Sequence, residues 1–236
     1  MYRRPWADRI AAVASLTDGK RLQLFELVAA WPRPVGRDEV AEAAGMARST
    51  VSFHLDRLVQ DGLLAVEFHK PPGRTGPGSG RPAKMYRPMG NEVGASVPDR
   101  NYDLAGELMA AAIEDSQSQG SPVAESLRAA AFRKGKELAE AAGSLEAFLT
   151  EAGYRPQPDG EGGYVLPNCP FHRLSRAHTA VVCDMNGSFL RGAAVGCGGA
   201  EDRVAGAAGP GHCCARIVGR AGGETPQAGR SAPEVP

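Results

Sequence analysis

The stretch 36–64, GRDEVAEAAGMARSTVSFHLDRLVQDGLL, holds two short helical patterns joined by a glycine. In the first, Val40, Ala41 and Ala44 recur at helical spacing. Gly45 supplies the turn, because glycine takes a left-handed backbone without steric cost. Met46 is an apolar plug inside that turn. In the second pattern Val51, Leu55 and Leu58 line one face at i, i+4 and i+7. Arg48, Ser49, Thr50, Ser52, His54 and Arg57 are assigned to the opposite, polar face. Two helices of this kind form a helix-turn-helix, whose second helix enters a DNA major groove. Arg48 is the expected base reader, since arginine can fork onto guanine.

The residues that follow extend the pattern. Leu63, Leu64, Val66 and Phe68 predict a strand. The segment 69–88, HKPPGRTGPGSGRPAKMYRP, carries Lys70, Arg74, Arg81, Lys84 and Arg87 and no acidic residue. Lys84 to Arg87 predict a returning strand. A recognition helix followed by a basic, glycine-rich hairpin is a winged helix-turn-helix. Arg74, Arg81 and Lys84 of such a wing suit phosphates or a narrow minor groove.

The run RSTVSFHLDRLVQDGLL followed by GRPAKMYRP resembles the ArsR-type winged-helix transcriptional regulators, over roughly residues 15–90. The resemblance implies a homodimer on a double-stranded DNA operator, with recognition helices about 34 Å apart. One departure is Ala47, where the family usually has a capping Ser or Thr. Alanine cannot accept the orphan N–H bonds of a helix start, which costs about 1 kcal/mol. The metal ligands of the family's arsenic and zinc sensors are not visible in the helix-turn-helix, so an effector must be sensed elsewhere.

Charge distribution agrees with that placement. The net charge of the 236 residues is zero, but residues 1–100 carry 15 Lys and Arg against 11 Asp and Glu, and residues 101–150 carry 4 against 8. No signal peptide or membrane span is read, so a cytoplasmic protein with reduced thiols is expected. All five cysteines, Cys169, Cys183, Cys197, Cys213 and Cys214, fall in the last third. In a reducing compartment such a set points to metal or redox chemistry rather than disulfides.

Outside the helix-turn-helix, helices are predicted over 6–16, with Ile10, Val13 and Ala14 on the apolar side, and after the cap Asp18, with Leu22, Phe25, Val28 and Ala29 inward. Trp31-Pro32 ends the second of these. A helix over 102–117 is the expected dimer element. Ser121-Pro122 starts another that runs to 142. Ser144 caps a third, with Leu145, Phe148 and Leu149 buried and Gly153 closing it. Strands at 154–157 and 163–166, a helix over 174–195 and a strand at 214–218 complete the chain. The expected fold is a mainly helical α+β architecture. It comprises a winged helix-turn-helix at 1–90, linking and dimerisation helices at 91–143, a small cysteine-containing α+β domain at 144–218, and a disordered tail at 219–236.

Cys169 opens the motif NCPFH at 168–172, Cys183 lies 14 residues on, Cys197 another 14 beyond, and Cys213-Cys214 close the set. Thiolates bind soft or borderline cations, iron in clusters or zinc. Tight Cys-x-x-Cys pairs, the strong zinc signature, are absent, and Cys169-x-x-His172 is half of such a knuckle. This half, over about 100–218, resembles the C-terminal domain of the iron–sulfur cluster assembly repressor (Suf repressor) and its actinobacterial relatives, on NCPFH, VCDMN at 182–186 and the closing Cys before ARIV. The resemblance implies a repressor whose iron–sulfur cluster is held by Cys169, Cys183 and Cys213 or Cys214, with Cys197 and His172 undecided. Zinc is the alternative, as is an organic ligand in this domain with the cysteines merely buried. An enzyme with a reactive thiol is disfavoured, because no general base pairs with a cysteine at a recognisable spacing.

Overall fold

The computed structural model describes residues 3–69, 82–90, 92–207 and 213–219. Arg74 and Arg81, the tip of the expected wing and the chain after Gly219 lie outside them. The chain divides into two compact units at Val97/Pro98.

The first unit contains α1 (Trp6–Ser15), α2 (Gly19–Ala30), β1 (Val35–Gly36), α3 (Arg37–Ala44), α4 (Arg48–Gln60), β2 (Leu64–His69) and β3 (Ala83–Pro88). Its strands form an antiparallel sheet in the order β1-β3-β2, with Val35 and Val66 both opposite Tyr86. The two-residue β1 lacks the length for a periodicity signal and was not foreseen. Asp18 caps α2 by accepting from the Lys20 and Arg21 amides (3.0 and 3.1 Å). Gly45 ends α3 at φ 63°, as its place in the turn requires. Leu24, Val28, Val40, Val51, Leu55, Leu58, Leu64 and Tyr86 make the core.

Two inward faces differ from expectation. Helix α1 buries Arg9, Ala12 and Ser15, while Val13 is 45% exposed. Arg9 is tolerated inside because backbone carbonyls satisfy it, Nε donating to Arg4 (3.1 Å) and Nη1 to Gly94 (3.0 Å). Helix α2 buries Leu24 and Val28, leaving Leu22 exposed and Phe25 half-buried.

The second unit contains α5 (Tyr102–Gln119), α6 (Val123–Ala142), α7 (Leu145–Ala152), β4 (Gln157–Pro158), β5 (Tyr164–Val165), α8 (His172–Ala177), α9 (Thr179–Gly196), a 3-10 turn at Glu201–Arg203, β6 (Val204–Gly206) and β7 (Ala215–Ile217). The strands form an antiparallel sheet in the order β4-β5-β7-β6. Ser144 caps α7 by accepting from the Ala147 amide (3.1 Å), and Gly153 closes it at φ 97°. Helices α5 and α6, expected as a separate linking segment, share one core with the cysteine-bearing elements: Leu104, Leu108, Leu127 and Ala131 pack with Phe148, Phe171, Phe189 and Leu190. The helix expected over 174–195 is two helices. His178 leaves helical geometry (φ −134°, ψ 52°), and the Thr179 hydroxyl bonds back to the Ser175 carbonyl (2.6 Å).

Helix α9 is the axis of this unit. Three glycines bring its backbone against α6: a Cβ on Gly135 would stand 2.0 Å from the Phe189 carbonyl oxygen, one on Gly192 2.0 Å from that of Phe132, and one on Gly196 2.5 Å from that of Lys136. That approach fixes where α9 presents Cys183 and Asn186.

Candidate nucleic-acid interface and thiol cluster

Ala47 is the N-cap of α4, and among the described residues no side chain caps the helix. Ala47 is extended (φ −60°, ψ 136°), a backbone that serine adopts equally well. Ala47→Ser should therefore raise the stability of the first unit by about 1 kcal/mol, read as a higher denaturant midpoint.

Arg48, Ser49 and Arg57 are exposed on α4, and Thr50 and Ser52 are half-exposed. Arg48 Nε donates to Asp38 (2.6 Å) with both side chains largely exposed, and Arg57 Nε to Asp61 (3.0 Å). The exposed Arg48–Asp38 pair contributes about 0–1 kcal/mol, so exchanging that carboxylate for a phosphate or a base edge costs little, whereas the Asp61 side chain paired with Arg57 is only 7% exposed.

His54 requires a correction. It is 8% exposed and lies inward beside Leu55, with Nδ1 buried and without a hydrogen-bond partner among the described residues. It stands three residues after Val51 and four before Leu58, on the apolar stripe; its polarity, not its spacing, had put it on the groove side. Lys84 points to α4, where Asp56 accepts from its ammonium and from the Tyr86 hydroxyl (3.0 Å). Burial acts to raise the Asp56 pKa, and the bonds from Lys84 and Tyr86 outweigh it and hold the carboxyl below its ordinary value. In the described state Lys84 thus ties β3 to α4.

The second cluster is in the other unit. Asn168 fixes the loop before α8: its Nδ2 donates to the carbonyls of Asp99 (2.8 Å) and Gly153, while Arg100 donates to Asn168 Oδ1 and to the Cys169 carbonyl (3.2 Å). The Cys213 amide donates to the Leu166 carbonyl (2.9 Å), drawing the chain before β7 to the same place. Four free thiols are neighbours in turn, Cys213 influencing the titration of Cys169 and Cys214, and Cys214 that of Cys183 of α9. Cys169 and Cys213 are buried, Cys183 and Cys214 half-buried.

Asn186, one turn along α9 from Cys183, donates through Nδ2 to Cys213 Sγ (3.1 Å) and Cys214 Sγ (3.5 Å). Its Oδ1 accepts from the hydroxyl of Tyr154, whose side chain is fully buried. Sequence reading missed both residues, and their signal was available: an asparagine and a tyrosine are costly in a core unless each has a partner. The hydrogen bond with Cys213 pulls the Cys169 thiol below its ordinary pKa. Its counterpart pushes Cys213 up to about 11. Burial pushes Cys183 up to about 12, and the bond with Cys213 raises Cys214 further.

Cys197 stands apart from this set, its thiol directed at the Ala139 carbonyl (3.8 Å). His172 and His178 are exposed at the ends of α8. An open depression of about 380 Å³ adjoins Cys213, with Leu166, Ala207 and Arg216 in its lining. Among the described residues, no group of three or more His, Cys, Asp and Glu side chains is disposed to hold a metal ion. None of the described helices is long and apolar enough to cross a membrane.

No curated protein and no solved structure matches the chain. Residues 20–67 match the model of the IclR helix-turn-helix domain. The match spans α2 to β2, the elements that hold and follow the recognition helix, and supports a winged helix-turn-helix without singling out the ArsR type. The first unit of this chain is thus built on an IclR-type helix-turn-helix DNA-binding domain at residues 20–67.

Proposed function

We propose that this chain is a transcriptional regulator, a repressor acting as a homodimer, whose operator binding is controlled by an iron–sulfur cluster or metal at Cys169, Cys183, Cys213 and Cys214. The observation that supports the control is the neighbourhood of four thiols from three separate segments of the chain, two of which, Cys213 and Cys214, accept from Asn186. Groove contacts fall to Arg48, Ser49, Thr50, Ser52 and Arg57 of α4, with Arg74 and Arg81 of the wing on the phosphates.

The donor set suits a sulfur-loving group. Zinc needs its ligands about 2.3 Å from one point, and no such grouping is present among the described residues. A cluster spreads its thiolates over two or more irons, which favours it over zinc for a row of four thiols. When bound, the cluster would supply a redox-sensitive and oxygen-sensitive charge. The chain's own part is to hold the thiols: Asn168 and Arg100 position Cys169, and Asn186 donates to the closing pair. Control of DNA affinity requires the loaded and empty states to favour different dimer arrangements.

The test is iron and acid-labile sulfide analysis of protein purified without oxygen, beside operator binding by the same sample. Brown protein with matched iron and sulfide, both lost in a Cys169→Ser, Cys183→Ser variant whose operator affinity no longer responds to oxygen, is the expected result. Colourless protein with one tightly held zinc transfers the site to the zinc reading. Metal-free protein that binds its operator equally in both forms and under every redox condition removes the sensor role and leaves a constitutive DNA-binding protein.

A further inference from the structure

Phe53 lies on the outside of α4 and is 66% exposed. It is two residues from both Val51 and Leu55, about 200° around the helix from each, so it points away from the core. Among the described residues its one ring neighbour is His54, edge-on at 5.3 Å between centroids. Around it on the same side stand Ser49, Thr50, Asp56, Arg57 and Gln60.

An apolar ring exposed on an otherwise polar helix face gains free energy when something covers it. The polar frame argues against a protein partner, which needs a contiguous apolar patch of several hundred Å². It fits a major groove. There the base edges present hydrogen-bonding groups, and the apolar feature among them is the C5-methyl of thymine. The second helix of a helix-turn-helix lies in that groove.

We propose that Phe53 is a specificity residue that reads thymine through contact of its ring with the base's C5-methyl group. This rests on the DNA-binding reading above. Ser49, Thr50 and Arg57, within about 60° of Phe53 around the helix, supply hydrogen bonds around the contact, and Phe53 adds discrimination that no hydrogen bond can provide, since uracil and thymine present the same donors and acceptors.

The experiment uses the full-length protein. A duplex is selected from an unmethylated synthetic random pool, so that thymine is the one source of a pyrimidine methyl group. Each thymine of the selected site is then replaced by uracil in turn, and the affinity of each duplex is measured. The wild type should lose about three- to five-fold at one thymine, or at two related by the dyad of the site. Phe53→Ala should bind the thymine duplex that much more weakly and should not distinguish thymine from uracil. Arg48→Ala should weaken both duplexes alike and keep the distinction. Specific binding by the wild type with no uracil effect at any position overturns the proposal, as does a uracil effect that survives Phe53→Ala. Failure to select any duplex overturns instead the DNA-binding reading beneath it, and this inference with it.

Discussion

Gly192→Ala should unfold or loosen the second unit while leaving the first intact. A Cβ at this position would sit 2.0 Å from the Phe132 carbonyl oxygen, 2.8 Å from its carbonyl carbon and 3.0 Å from its Cα. These are backbone atoms of α6, so no side-chain rotation relieves the overlap. Two terms of opposite sign compete. Alanine favours the helix over glycine by about 1 kcal/mol. Forcing atoms into a packed interface costs about 1–3 kcal/mol and occasionally more, and this contact is at the severe end because two backbones must part. The net expectation is a loss of about 2 kcal/mol or more, with Gly135→Ala behaving alike, since its Cβ would meet the Phe189 carbonyl at 2.0 Å. Gly106 of α5 is the control. Among the described residues nothing lies within 4 Å of a Cβ there, so Gly106→Ala should stabilise by up to about 1 kcal/mol. Hydrogen exchange of α6 and α9 amides reads the effect. The two tryptophans, Trp6 and Trp31, both lie in the first unit, so their fluorescence should report an unchanged unfolding transition. A Gly192→Ala protein with native exchange rates in α6 and α9 would show that the close approach is not what holds these helices together.

The legible part of this chain was the part with short-range rules. The turn at Gly45, the stripe Val51, Leu55 and Leu58, the cap at Ser144 and the stop at Gly153 follow from spacing and from backbone chemistry, and each stands where expected. The misreadings come from ranking residue type above position. His54 was set on the polar face by its chemistry although its spacing puts it inside. Ile10, Val13 and Ala14 were set inward on α1 by their apolar type, whereas the buried face is Arg9, Ala12 and Ser15; the carbonyls that satisfy Arg9 come from Arg4 and Gly94, the second of them far along the chain. The glycines of α6 and α9 carried a signal, small residues four apart at Gly135 and Ala139 and at Gly192 and Gly196. It was not used, because the partner of such a face cannot be named from one helix. In the thiol site, the cysteines were found by type, and their grouping came by resemblance. What spacing could not supply was which thiol meets which, or that an asparagine and a tyrosine complete the set. Cys197 has the same spacing from Cys183 as Cys183 has from Cys169, yet its position near the end of α9 directs it to Ala139 instead.

Asn186→Ala should cost the second unit about 2–4 kcal/mol, and that cost should depend on Tyr154. Asn186 is 1% exposed and Tyr154 fully buried. Removing the amide leaves the Tyr154 hydroxyl buried without a partner, which costs about 1–3 kcal/mol, and the lost volume adds to that. Tyr154→Phe alone leaves the Asn186 oxygen in the same condition. With both changes neither group is orphaned, so the double variant should be more stable than the summed single losses predict, by about 1 kcal/mol or more. Strict additivity in denaturant unfolding would mean that the Tyr154–Asn186 bond contributes nothing. Asn186→Asp separates this structural role from the one facing sulfur. Aspartate keeps an oxygen for Tyr154 but, when ionised, has no N–H for Cys213 and Cys214 and sets a negative charge beside them. If the closing pair of thiols holds a cluster or metal as thiolates, Asn186→Asp should lower the iron and sulfide retained by anaerobic protein more than its effect on stability accounts for. Equal retention in Asn186→Asp and wild type would confine Asn186 to supporting Tyr154, and the thiols would then draw their stabilisation from elsewhere in the site.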